Sequence, residues 1–241
     1  MSHLKNLLSI FFLSGILFSG CTSFTNTKRV CPEPSREEIM FRSSESSPSV
    51  ATLRTEIEHY LNSGHDIEGL KSLTLDKNGN SVGTITETDL TGDGINELIF
   101  STSTSSDYNE YELGWLGIYE CSNGEYHPTY IGYGEYTHSV KVVKVFDALD
   151  KGKPQIFVEY LWRGSECQLG INVLAKTDTG WSRVFDNHLN CHATVTVNSI
   201  KDGTAIEIVF QGKLHDVMGF EPDKIVTQVY RVESGDFVLI P

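Results

Sequence analysis

Asp89-Leu-Thr-Gly-Asp-Gly-Ile-Asn-Glu-Leu-Ile-Phe100 is the stretch that decides how this chain folds. With Asp89 as position one, oxygen-bearing side chains stand at positions one, three, five and nine: Asp89, Thr91, Asp93 and Glu97. Gly94 permits the sharp turn that brings them together, and the carbonyl of Ile95 adds a further oxygen. Hard cations such as calcium take six to eight oxygens, several of them anionic, at ~2.3–2.6 Å. An EF-hand opens the same way, but it needs a bidentate Glu at position twelve and a helix after it. Position twelve here is Phe100, and Leu98-Ile-Phe-Ser-Thr102 reads as a buried strand. A calcium-type loop that feeds a strand predicts a β fold. The other reading is a solvated acidic turn that shares the spacing.

Outward from this stretch the sequence repeats one order of features: strand, loop, strand, strand, glycine turn, strand. The first unit spans 81–138, with Ser81–Ile85, the Asp89 loop, Leu113–Tyr119, a turn at Asn123-Gly124 and Tyr126–Tyr130. The second spans 139–192, with Val140–Phe146, the loop Asp147–Gly152, Ile156–Tyr160, Leu169–Leu174, a turn at Gly180 and Trp181–Phe185. The third spans 193–241, with Ala193–Val197, a turn at Asp202-Gly203, Ile206–Phe210, Ile225–Tyr230, a turn at Gly235 and Phe237–Ile240. The turn glycines 124, 180 and 235 recur every 56 and 55 residues. Each unit holds enough alternating sequence for a four-stranded antiparallel sheet, the content of one propeller blade. The expected fold is therefore all-β: three four-stranded antiparallel propeller-like blades with a short N-terminal helical segment. Closed propellers use about four to eight blades, so an open fan is expected, or two chains that complete each other.

The Asp89 loop and its strand resemble the FG-GAP (VCBS-like) repeats of integrin-type β-propellers, whose loops run Asp-x-Asn-x-Asp-Gly-x-x-Asp before a hydrophobic strand. Asp89, Asp93, Gly94 and Glu97 carry the likeness, with Thr91 and Glu97 as departures. The resemblance implies a calcium ion held by Asp89, Thr91, Asp93, Ile95 and Glu97, stabilising the hairpin at a blade edge. The other units have lost this set. The second loop places Asp147, Leu149, Lys151 and Gln155 at the metal positions, with Gly152 kept. There the Lys151 ammonium is expected to sit where a cation would. In the third, Asn198, Ile200 and Asp202 precede Gly203, and Glu207 falls one residue late. One calcium per chain is expected, at the first loop.

Residues 50–80 read as a helical cover. Val50, Leu53, Ile57, Tyr60 and Leu61 fall on one helical face, and Asn62-Ser-Gly64 supplies the stop. Asp66 can cap a second helix through about Leu73. Upstream, residues 1–20 have a basic start at Lys5 and an apolar run from Leu7 to Phe18, too short to span a bilayer. The run closes with Leu17-Phe-Ser-Gly-Cys21, which resembles the lipobox of bacterial lipoproteins. That resemblance implies lipidation of Cys21, export, and attachment to an envelope membrane. An ordinary secretory signal cleaved nearby is the alternative. Residues 21–49, with Ser43-Ser-Glu-Ser-Ser-Pro48, read as a flexible tether.

Charge and cysteines agree with export. The formal net charge is −13, and loss of residues 1–20 removes Lys5 and no acid. Such an acidic chain is a poor partner for nucleic acid, which selects basic patches. Beyond Cys21, an even set remains: Cys31, Cys121, Cys167 and Cys191. Cys167–Cys191 flank one strand pair, and Cys31–Cys121 would pin the tether to the domain.

Catalytic patterns are weak. His188-x-x-Cys191-His192 can be drawn as a zinc site, but those spacings do not aim all three side chains inward from a strand. His59 and His65 read as surface or packing residues. Ser165 and Ser182 lack the Gly-x-Ser-x-Gly elbow. Glu110 and Glu112 lie in an acidic, Tyr-rich loop that reads as a solvated rim. Loop aromatics offer more: Tyr111, Tyr133 and Trp162 are candidate platform residues for a sugar or peptide. Packing between blades is the plainer role for them. The expected function is a non-enzymatic, lipid-anchored binding module with structural calcium and a protein or glycan partner. A carbohydrate-binding or cell-wall module is the alternative, and a secreted hydrolase the weakest reading.

Overall fold

The structure is a computed structural model and describes residues 50–63, 83–102, 114–133, 137–163, 167–200, 205–214 and 224–241. Among the described residues, one helix, α1 (Val50–Asn62), precedes twelve strands. The first sheet is built from β1 (Gly83–Thr88), β2 (Glu97–Thr102), β3 (Trp115–Ser122) and β4 (Glu125–Tyr133). The second holds β5 (Thr137–Phe146), β6 (Gln155–Arg163), β7 (Cys167–Thr177) and β8 (Gly180–Asn190). The third holds β9 (Thr194–Ile200), β10 (Ala205–Leu214), β11 (Lys224–Glu233) and β12 (Asp236–Ile240). Every pairing is antiparallel and joins strands consecutive in sequence, so each sheet is a linear meander. The three predicted units are thus three four-stranded sheets, and none of the sheets closes on itself.

The turn chemistry accounts for two of the hairpins directly. Asn123 and Gly124 have φ of 56° and 87°, and Ser234 and Gly235 have 54° and 84°. Two successive left-handed residues suit the twist of a tight hairpin, and glycine adopts that conformation without a Cβ clash.

Side-chain alternation stacks the layers. In the first sheet Leu98, Phe100, Trp115 and Tyr119 face α1, where they bury Ile57, Tyr60 and Leu61. The opposite parity, Ile99, Leu116 and Ile118, faces the second sheet and meets Val140, Ile156, Val158 and Leu174. The second sheet in turn sends Phe157, Ile171 and Val173 toward Ile206, Ile208 and Phe210 of the third. The order is helix, first sheet, second sheet, third sheet. Strand β2 is buried along its whole length, and its central run Leu98-Ile-Phe100 is apolar on both parities because both faces are covered. A register shift between Val142 and Lys144 in β5 resets the alternation. It lets Val142 and Val145 face the first sheet while Val143 and Phe146 face the third.

Helix α1 is tied to β4 through Asn62, with Glu58 and His127 3.4 Å apart beside it. Asn62 Nδ2 donates to the Tyr126 carbonyl at 2.9 Å, and the Tyr126 N–H donates to Asn62 Oδ1 at 2.7 Å. The helical cover is therefore present through Asn62. The second helix expected from Asp66 lies outside the described residues, as do the signal segment, Cys21 and the tether.

Candidate functional site

Among the described residues, site-like chemistry is found in the loops that open the first two units and in a cleft between the first and second sheets. In the β1–β2 loop, Asp89 acts as a brace. Its Oδ1 accepts from Gly92 N–H at 2.7 Å and its Oδ2 from Gly94 N–H at 2.9 Å. Gly92 and Gly94 take φ of 79° and 82° to make this possible. Asp93 Oδ1 accepts from Ile95 N–H at 2.8 Å. Glu97 closes the loop from the other side, its Oε2 accepting from Leu90 N–H at 2.5 Å and Thr91 N–H at 3.2 Å. The Thr91 hydroxyl donates to Glu97 Oε1 at 3.3 Å. Glu97 is buried, and burial raises its pKa, with Asp93 adding to the rise while the Leu90 and Thr91 donors oppose it.

The expected ligands Asp89, Thr91, Asp93, Ile95 and Glu97 thus share one tight loop. Their oxygens are all hard donors, the chemistry that calcium takes. Much of that donor capacity is directed at backbone N–H groups of the loop. Among the described residues, no group of three or more His, Cys, Asp or Glu side chains is arranged to hold a metal ion.

The β5–β6 loop makes the same turn. Asp147 Oδ1 accepts from Lys151 N–H at 3.0 Å, and Oδ2 from Gly152 N–H at 2.7 Å. Gln155 stands where Glu97 stands, its Oε1 accepting from Leu149 N–H at 3.0 Å. Leu149 and Ala148 are buried. The Lys151 stem runs toward the β11–β12 turn, its Cε 3.8 Å from the point a Gly235 Cβ would occupy.

The cleft has a volume of about 300 Å³. Tyr133 at the end of β4 forms one wall, and Thr137 of β5 lies beside it. Tyr160 and Trp162 come from β6, Gln168 and Asn172 from β7, and Arg183 from β8. A hydrogen-bonded chain fixes these groups. The Tyr133 hydroxyl donates to Asn172 Oδ1 at 3.1 Å, and Asn172 Nδ2 donates to Asp186 Oδ1 at 2.8 Å. The Tyr160 hydroxyl donates to the same Asp186 oxygen at 3.1 Å, and Arg183 Nη1 pairs with Asp186 Oδ2 at 3.2 Å. The Tyr133 and Tyr160 rings lie 5.9 Å apart, and the Arg183 guanidinium sits 5.9 Å from the Tyr133 ring centre. Burial is the main reason both phenols are raised far above their ordinary pKa, so they act as neutral donors.

Tyr133 and Trp162, two of the three expected platform residues, therefore meet in one cleft; Tyr111 lies outside the described residues. Sequence alone did not supply Thr137, Tyr160, Gln168, Asn172 or Arg183. One signal was available: Asn172 interrupts the apolar run Ile171-Asn-Val-Leu174 and is fully buried. A buried amide in such a run needs polar partners.

Glu120 of β3 joins the first and second sheets. It accepts from Lys176 Nζ, from Trp181 Nε1 at 2.8 Å and from Thr129 Oγ1 at 2.8 Å. Burial raises the Glu120 carboxyl, but these donors outweigh it and hold the pKa below the ordinary carboxylate value.

Cys167 and Cys191 form a disulfide, as expected, and it spans the open end of the β7–β8 hairpin next to Gln168. With Cys191 oxidised, the zinc set drawn from His188, Cys191 and His192 lacks its thiolate. Cys121 is also disulfide-bonded; its expected partner Cys31 lies outside the described residues.

No protein-family profile matches the chain, and no curated protein matches it.

Proposed function

We propose that the chain is a non-enzymatic binding module, exported and held on an envelope membrane through an acylated Cys21. In this reading its sheets form an open propeller-like array of the FG-GAP kind, and the β1–β2 loop holds one calcium ion. The observation that carries it is the second loop. Gln155 and Asp147 make the same backbone turn with no acid at 149 or 151. The first loop carries acids at Asp93 and Glu97 where the second makes the turn with Lys151 and the neutral Gln155. Those acids are the charges that a hard cation would neutralise.

Asp89, Thr91, Asp93, the Ile95 carbonyl and Glu97 would hold the ion, with one oxygen of each carboxylate turning from the backbone to the metal. Bound calcium supplies charge neutralisation where three carboxylates crowd one turn. The chain's own contribution is the brace: it holds those oxygens on one loop before any ion arrives.

Thermal unfolding of the mature chain tests this. Calcium at ~100 times its Kd is expected to stabilise the fold by ~2.7 kcal/mol, and EDTA to reverse the shift. An unchanged melting temperature in EDTA, or two or more ions per chain by metal analysis, overturns the assignment. Mass analysis of the N-terminal peptide from membranes tests the anchor, which requires acyl chains on Cys21.

A further inference from the structure

The face of the second sheet that looks toward the first changes character along its length. At one end it presents Ile156, Val158 and Leu174, sealed under Ile99, Leu116 and Ile118. Two residues further along the same face, β6 presents Tyr160 and then Trp162, and β7 presents Asn172 and then Gln168. The cleft begins where the apolar seam stops.

Three features mark this end as built for an occupant. Gly170 pairs with Tyr160, and a Cβ there would stand 2.6 Å from the Tyr160 ring. The missing side chain lets that ring lie down across the neighbouring strand. Tyr133, at the opposite wall, has φ of 68°, a conformation that costs a non-glycine residue ~1–3 kcal/mol. Asn172, with no exposed surface, commits its amide to holding Tyr133 and Asp186 in place. Two aromatic rings, an indole, an amide and a guanidinium are thereby fixed around a space at the small end of ligand pockets, which run ~300–1,000 Å³.

We propose that this cleft binds one neutral sugar residue, free or as part of a longer glycan. A sugar ring has an apolar C–H face that suits an aromatic wall and a rim of hydroxyls, each of which both donates and accepts. Thr137 and the Arg183 guanidinium line the cleft with groups that match that rim. An apolar ligand would desolvate this polar lining without replacing its hydrogen bonds to water. An acidic ligand would find no uncompensated positive charge, because Arg183 is already paired with Asp186. An extended peptide would seek a strand edge, whereas the cleft lies on a sheet face.

The proposal deepens the binding-module reading and does not depend on calcium. Its test is a panel of neutral mono- and oligosaccharides, with galacturonate, N-acetylneuraminate and unrelated peptides as comparators, titrated against the mature chain by calorimetry. Binding of at least one neutral glycan is expected at millimolar concentration or below, equally in calcium and in EDTA. Trp162→Ala is expected to weaken it ~10-fold or more, and Lys153→Ala, outside the cleft, to leave it unchanged. If Trp162→Ala fails to fold, hydroxyl-radical footprinting of the unaltered chain decides, since bound glycan must shield Trp162 and Tyr160. Absence of neutral-glycan binding, binding only to acidic sugars or peptides, or binding that ignores Trp162 overturns the proposal. Loss of binding in EDTA alone would instead place the sugar site at the calcium loop.

Discussion

The loop joining β1 to β2 and the loop joining β5 to β6 make the same backbone turn with different chemistry. Each starts with an aspartate whose two oxygens accept backbone N–H groups three to five residues ahead. Each ends with a long side chain reaching back from the following strand, Glu97 in one and Gln155 in the other. What differs is the middle. Thr91 and Asp93 of the first loop correspond to Leu149 and Lys151 of the second. Leu149 is buried, and the Lys151 stem reaches toward Gly235 of the third sheet. In the second loop, packing and a neutral amide do what the first does with charge. The turn therefore belongs to the opening aspartate, the left-handed glycine and the long side chain that returns from the strand, and the surplus acid of the first loop calls for a separate reason.

The largest effect should come from Glu97→Ala. It leaves Leu90 N–H, attached to a fully buried residue, without its acceptor and also removes the Thr91 contacts. A loss of ~3 kcal/mol in urea unfolding is expected. Gln155→Ala removes a neutral amide that accepts from Leu149 N–H and donates to the Lys153 carbonyl, and should cost ~1 kcal/mol. Equal losses would erase the distinction between a charged and a neutral brace.

A smaller change tests the surplus charge itself. The double variant Asp93→Lys with Glu97→Gln gives the first loop the charge pattern of the second at those two positions. In EDTA its stability should stay within ~1 kcal/mol of the parent, because Gln still accepts from Leu90 N–H. In calcium it should show none of the parent's thermal shift. A large loss in EDTA would mean that the acids serve the turn after all.

The smallest effect lies outside both loops, at the Glu120 latch. Its carboxyl is held below the ordinary value by Lys176, Trp181 and Thr129 against the opposing effect of burial. Such a group stabilises the fold fully above its unfolded pKa and loses that contribution as pH falls through the folded one. The stability gap between the parent and Glu120→Gln should be constant near neutral pH, ~1 kcal/mol, and shrink in acid. A gap that widened in acid would reverse the assigned sign.

The sheets were legible because each unit advertises its own local chemistry. The recurring glycines at 124, 180 and 235 all adopt positive φ, and the alternation between them fixes the strands. The helix was legible through the spacing of Ile57, Tyr60 and Leu61, all of which are buried. The loop pattern puts Asp89, Thr91, Asp93 and Glu97 close together in sequence, but it does not foretell their hydrogen-bond partners. Asp89 and Glu97 spend oxygens on the backbone, which a ligand pattern does not foretell. The cleft was half legible. Tyr133 and Trp162 stand out as loop-flanking aromatics, whereas Asn172, Arg183 and Tyr160 join them only when four strands are laid side by side. The β5 register shift is equally invisible to a strict two-residue period, since it moves Val145 onto the face of Val142.

Among the described residues, each strand hydrogen-bonds to the one made just before or just after it. Contacts between near neighbours in the chain close with little loss of loop entropy, which favours rapid folding for a β protein. A polypeptide emerging N-terminus first can finish one hairpin ladder before the next has been synthesised or threaded. Only the docking of finished ladders then waits for distant sequence, and the half-made chain spends little time with open edges that could catch a neighbour.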